Sequence, residues 1–317
     1  MKEFSIVILA VLPVLITALA GVLMRRLNSL NEVADQSLLK VTINLLIPCF
    51  IFDKLLGNPA TENPSNLLLA PTIGFLTIAF GIGIGLLMAG WSGIKAPVER
   101  KTFGFSAGIY NYGYVPLPLA LALFDRETVA TLVVHNIGVD VAFWVFGAMV
   151  FARQDQPLWR KIIRPPVFAI ALTIALNFAG LADSVPQLII HTARMIGACA
   201  IPMGLILTGA MVADLMKEFR TEGGTRVMFL ACLIRLLIVP IGFIVLARFL
   251  PATVELKRVI ILQAAMPAAV FAILASKHFG GHPPTALRVV LATSIVGFVT
   301  IPIWIRYGMQ FAGLEMP

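Results

Sequence analysis

Apolar residues come along this chain in blocks of about twenty, the length a helix needs to cross a hydrocarbon core of about 30 Å. The blocks are apolar on every side instead of along one stripe, which suits a lipid environment and not a soluble core. Ten can be read, at Phe4–Met24, Leu38–Leu56, Leu67–Trp91, Thr102–Phe124, Thr128–Ala152, Ile163–Leu181, Leu188–Ala213, Arg226–Phe249, Lys257–Lys277 and Thr285–Tyr307. Loops between them are short and hold Pro, Gly, Asn and charge, as in Asn58–Pro64. Nothing remains over for a soluble domain. Charged residues make up only 13% of the 317, against about 25% in soluble domains.

The first block has the charged start and Ala18–Ala20 ending of a cleavable signal. Arg25 and Arg26 follow at once and oppose export, and the run from Phe4 to Met24 is long enough to span, so it is read as a first span. Lys and Arg then fix orientation. Fifteen lie in the odd-numbered loops and seven in the even loops and the termini, while Arg194 and Arg235 lie within spans. This distribution predicts cytoplasmic odd loops, both termini outside, and residence in the cell (inner) membrane.

Five spans on each side of the basic Arg153–Arg164 segment make the second half enter the membrane in the opposite sense from the first. The expected fold is therefore all-α, with two inverted five-helix repeats over residues 1–157 and 158–317. Within it, spans four and nine are interrupted at matching places. The fourth carries Gly108, Tyr110, Asn111, Gly113, Pro116 and Pro118, and the ninth carries Gln263 and Pro267. Proline removes a donor and clashes with the preceding turn, and the freed backbone is tolerated at membrane depth only inside protein or beside a wet cavity. Matched breaks point to the binding site of a secondary transporter.

Asn111, Gly113, Tyr114 and Pro118, with Ala264–Ala268 in the second half, resemble the signature stretches of the auxin efflux carrier family in its compact prokaryotic form. Pro116 departs from the glycine of that pattern, and Phe271 stands where many members carry a polar residue. The resemblance implies that the fourth and ninth helices cross at their breaks, as in bile-acid sodium symporters and sodium–proton antiporters. It also implies a transport domain moving against a scaffold of spans one, two, six and seven, and a possible homodimer. Family substrates are small organic anions, such as auxin in plants and malonate or malate in some bacterial members.

Substrate contacts are accordingly expected from Asn111, Tyr110, Tyr114, Pro118, Gln263 and Pro267, and, from the scaffold side, from Asn44 with Thr42 and Pro48 nearby. The half-helices restarting after Pro118 and Pro267 would aim their N-termini at an anion. Two intramembrane charges mark further candidates, since each costs about 2.5–3.5 kcal/mol at the bilayer centre. Either Asp140 takes up a coupling proton or sodium ion and Arg235 meets the substrate, or the two pair with each other, or with polar neighbours, as a structural tie in the transport domain. Arg194 and His191 either flank the outer mouth or reach to the surface. His135 and Asn136 read best as interhelical hydrogen bonders.

Several motifs are decoys. Gly104, Ser106 and Gly108 fit the elbow of serine hydrolases, but that motif needs a strand-to-helix turn. With Gly81, Gly83 and Gly85 they are better read as close-packing positions. Cys49, Cys199 and Cys232 lie inside apolar blocks without metal-ligand spacing, so no metal or cofactor is expected. The net charge of +8 is spread over loops and not pooled as a nucleic-acid surface. A channel, which needs a continuous polar lining, and a membrane receptor or sensor remain as alternatives to a carrier.

Overall fold

The computed structural model describes residues 2–61, 63–151, 164–218 and 224–315. Among them the secondary structure is helical, without strands. Six stretches are long and apolar enough to cross a bilayer: Leu9–Arg26, Asn66–Ser92, Arg126–Phe151, Gln187–Asp214, Thr225–Phe249 and Pro283–Ala312. They belong to α1 (Lys2–Arg26), α4 (Pro64–Met88), α7 (Arg126–Phe151), the pair α9 (Gln187–Gly197) and α10 (Ala200–Glu218), the pair α11 (Thr225–Leu233) and α12 (Val239–Phe249), and α15 (Pro283–Ala312).

The other four blocks differ for physical reasons. The second is α2 (Glu32–Val41) running through a π-helical turn into α3 (Ile47–Leu55), with Glu32, Asp35 and Lys40 in its first half. The sixth, α8 (Pro165–Phe178), has 14 described residues, a length of about 21 Å. The fourth is split into α5 (Pro97–Gly108) and α6 (Pro116–Leu123), and the ninth into α13 (Val254–Ala264) and α14 (Phe271–Phe279).

Helices approach to backbone contact where glycines face one another. A Cβ at Gly81 or Gly85 of α4 would collide with the carbonyl of Gly108 or Gly104 of α5, and one at Gly138 of α7 with the Pro71 carbonyl. Gly83 does not share this role. It has nothing within 4 Å of its would-be Cβ, because two residues carry a helix position roughly 200° round the axis. Gly21 and Gly209 make the same close crossing between α1 and α10.

Two π-helical turns, Thr42–Leu46 and Ile234–Ile238, each end one residue before the residue that precedes a proline, Pro48 and Pro240. Pro240 cannot donate to the Leu236 carbonyl four residues back. The indole Nε1 of Trp304 donates to that carbonyl instead, at 2.7 Å.

Contacts between loops fall into two groups. At one end, Arg226 Nε donates to the Trp91 carbonyl at 2.8 Å, and the His282 N–H donates to Thr102 Oγ1 at 2.9 Å. Arg25 belongs here too, but as a buried group and not a solvated loop cation. It pairs with Asp35, meets Asp214 at 3.0 Å and donates to the Leu30 carbonyl at 2.9 Å. At the other end, Asn58 Nδ2 donates to the Arg126 carbonyl at 3.0 Å, Gly57 N to Asn177 Oδ1 at 2.9 Å, and Thr253 Oγ1 to Asn66 Oδ1 at 2.8 Å. Arg258 meets Asp125 there at 2.5 Å, and Arg194 meets Asp53 at 2.9 Å.

Gly85→Ala is expected to lower stability by about 1–3 kcal/mol through overpacking, whereas Gly83→Ala leaves it unchanged or raises it by about 1 kcal/mol through helix propensity. Thermal unfolding of the purified variants checks the contrast. Trp304→Phe orphans the Leu236 carbonyl and should cost about 1–3 kcal/mol. The loss should shrink in a Pro240→Ala background, where a backbone N–H returns.

Candidate functional site

The unwound stretches between α5 and α6 and between α13 and α14 run antiparallel and pair with each other around Tyr110 and Ala268. Asn111 N donates to the Pro267 carbonyl at 2.8 Å, and Ala269 N donates to the Ile109 carbonyl at 2.9 Å. These two bonds answer most directly the backbone groups that the breaks set free. Side chains answer others. Asn136 Nδ2 donates to the Tyr112 carbonyl at 2.7 Å, and Thr293 Oγ1 accepts from Ala268 N at 3.2 Å. Gln263 Nε2 reaches Asn136 Oδ1 at 3.2 Å and the Tyr112 carbonyl at 3.5 Å.

The half-helix N-termini differ from the sequence expectation. α6 begins at Pro116, not after Pro118, so both prolines fall in its first turn. Neither has an N–H. The two that remain in that turn are taken, with Leu117 N on the Gly113 carbonyl at 3.0 Å and Leu119 N on the Val115 carbonyl at 3.4 Å. In α14, Ala272 and Ile273 donate back to Ala269 and Val270, both at 3.0 Å. What these ends offer an anion is a dipole with its donors largely spent.

In front of the crossover lies a cavity of about 240 Å³. Ile43, Ile47 and Phe50 of the second span and Ile201, Gly204 and Thr208 of α10 form one wall. The opposite wall comes from the first unwound stretch, from α7 and from the start of α14, including Phe271. Most of the lining is aliphatic or aromatic. Its polar groups are few: Asn111, Tyr112, Tyr114, Asn136, Asp140, Arg164 and Thr208. Asp140 Oδ1 accepts from the Tyr112 hydroxyl at 2.6 Å, and the Arg164 guanidinium lies over the Trp144 ring, 4.8 Å from its centroid. The Tyr114 ring rests on Gly204, where any Cβ would strike it. No hydrogen bond engages the Asn111 side chain among the described residues, and it faces the cavity.

The structure thus gathers Asn111, Tyr114 and Asp140 at the cavity and sets other candidates behind it. Tyr110, Gln263 and Arg235 are fully buried. The Tyr110 hydroxyl is 2.8 Å from Thr77 Oγ1, and Pro267 contributes its carbonyl to the pairing. Asp140 and Arg235 make no pair, since Asp140 holds Tyr112 while Arg235 sits between Tyr110 and Phe243. Pro118 and Asn44 do not line the cavity. Asn44 is exposed, one residue from the lining Ile43 and so about 100° round the helix. Thr42 is buried on its own turn, bonded to the Leu38 carbonyl at 2.8 Å, and Pro48 lies off the lining as well. His135 is buried with Nδ1 3.5 Å from Asn136 Oδ1, and His191 is exposed.

Arg164 was hidden in the sequence because its basic neighbours made it look like an orientation signal. The signal that could have found it is its place immediately before Pro165 and Pro166, at the N-cap of α8. Among the described residues, no group of three or more His, Cys, Asp or Glu forms a metal-ligand set.

Comparison with known proteins gives the family of the chain. A family model described as membrane transport protein matches residues 6–158 and 149–305. An uncharacterized transporter of Methanothermobacter thermautotrophicus is 24% identical over 301 residues, covering 93% of this chain and 96% of the relative. Another, from Methanocaldococcus jannaschii, is 21% identical over 301 residues with the same coverage. The chain belongs to the membrane transport protein family, that of the auxin efflux carriers, and is a multi-pass membrane transporter.

Proposed function

We propose that the protein is a secondary carrier of small organic anions that alternates access to the cavity in front of the crossover. The observation that carries this reading is the cavity itself, whose largely apolar lining includes the Arg164 guanidinium, the Asp140 carboxylate and the unengaged Asn111 amide. A substrate carboxylate would take a charge-assisted bond from Arg164 and a second from the Asn111 amide. Phe50, Phe143, Trp144 and Phe271 would cover its apolar body.

Charge balance supports proton coupling through Asp140. In the empty cavity an ionised Asp140 and Arg164 sum to zero. A bound monoanion restores zero only if Asp140 takes up a proton. Both states then cross the low-dielectric interior without net charge, which avoids a cost of several kcal/mol per uncompensated ion. Tyr112 joins this group to the crossover, because Asp140 holds its hydroxyl while Asn136 holds its carbonyl.

Ten crossings in two inverted five-helix repeats, residues 1–157 and 158–317, complete the reading. Its support is the grouping of loops, in which odd-numbered loops touch one another and even-numbered loops touch one another. The excess of Lys and Arg in the odd loops favours their placement in the cytoplasm, with both termini outside the inner membrane.

Counterflow in proteoliposomes tests the proposal with indole acetate as the monoanion, and with malonate and malate held at a pH low enough for their monoanions to be present. Arg164→Gln should lower kcat/KM about 10- to 100-fold, the worth of a hydrogen bond to a charged group. Asp140→Asn should keep exchange but lose accumulation driven by an acid-outside pH gradient. Unchanged affinity in Arg164→Gln would remove the anion site from this cavity. Saturable binding without flux would favour a sensor.

A further inference from the structure

Helix α13 ends at Ala264 in the middle of the crossover, and a helix C-terminus leaves carbonyls that carry negative partial charge. In transporters with broken helices, such ends and the neighbouring unwound carbonyls are where a coupling cation binds. Here a side chain stands at that end. Arg235 Nη2 is 3.4 Å from the Ala264 carbonyl, and the whole residue is buried. The guanidinium carbon lies 5.3 Å from the Tyr110 ring centroid and 5.5 Å from that of Phe243. Among the described residues Nε and Nη1 have no hydrogen-bond partner, and the ring faces serve as their counter-charge. Among the described residues no carboxylate forms an ion pair with Arg235.

The placement is built from the sequence upward. Pro240 follows the π-helical turn Ile234–Ile238, and the turn re-registers this helix at the residue that reaches α13. A mobile cation would also need several oxygen ligands at once. In the unwound stretches part of that oxygen set is already engaged by N–H donors: the carbonyls of Ile109, Tyr112, Gly113, Pro267, Ala269 and Val270 each accept a hydrogen bond.

We propose that Arg235 is a tethered counter-cation for the α13 half-helix, filling with a covalently held charge the place of a coupling cation, so that exchange at the crossover needs no sodium. The proposal rests on the carrier reading above and names its ion requirement. Arg235 is a positioning residue and does not touch the substrate cavity.

The test compares full-length wild type, Arg235→Lys and Arg235→Met, in sodium chloride and in choline chloride at one pH. Apparent Tm is read in detergent and indole acetate counterflow in proteoliposomes. Met keeps the volume and loses the charge, while Lys keeps the charge. Wild type should show the same rate in both salts and a Tm unchanged within about 1 °C, since a cation bound to the folded state would raise it. Arg235→Met should lose about 5 °C for an orphaned carbonyl, and Arg235→Lys should recover at least half of that loss. A wild-type Tm or rate that rises in sodium overturns the proposal, as does a Met variant as stable as the Lys variant. If the Met variant cannot be purified, the sodium response of the wild type decides alone. Absence of exchange in either salt would sink the carrier reading, while the Tm comparison would still decide the role of Arg235.

Discussion

Backbone groups at membrane depth have no water to bond with, and this single constraint organises the crossover. Two breaks at one level are sustainable because each supplies what the other lacks. The Asn111 N–H finds the Pro267 carbonyl and the Ala269 N–H finds the Ile109 carbonyl. An unsatisfied pair of this kind would cost several kcal/mol in a hydrocarbon setting. The pairing of Asn111 with Pro267 therefore draws together segments more than 150 residues apart in the sequence, and the cavity lies where they meet.

Polar side chains divide into two sets around that pairing. Asn136, Gln263, Thr293 and Arg235 each place a hydrogen bond on the backbone around the breaks, and Asn136 lines the cavity as well. Asn111, Tyr114, Asp140 and Arg164 face the cavity. Tyr112 belongs to both sets, with its carbonyl in the scaffold of bonds and its hydroxyl on Asp140. A change of protonation at Asp140 thus acts one bond away from the crossover backbone. This connection links chemistry in the cavity to the geometry that would have to move.

The breaks were legible because Pro and Gly declare them, and the close-packed face was legible at Gly81, Gly85, Gly104 and Gly108. Where α6 begins was not. Pro116 is tolerated at a helix N1 position as readily as Pro118 would have been, and only the Gly113 and Val115 carbonyls decide between them. Intramembrane charge drew attention to Asp140 and Arg235, but charge alone could not say that they face different partners. Arg25 and Arg164 failed for the opposite reason. A basic residue beside a span looks the same in sequence whether it is solvated, buried between Asp35 and Asp214, or turned over Trp144. Gly83 and Asn44 each missed by one or two positions, which on a helix is enough to reverse a face.

A transported anion that occupies the cavity beside the crossover should shield a cysteine placed in that cavity from chemical labelling. Thr208 and Asn111 both line that cavity. In a chain whose native Cys49, Cys199 and Cys232 are replaced by serine, Thr208→Cys would be labelled with a membrane-impermeant thiol reagent at rising concentrations of an exchanged anion. Labelling should slow in step with the half-saturation of exchange. Labelling that is rapid and indifferent to every exchanged anion would contradict occupancy of the cavity.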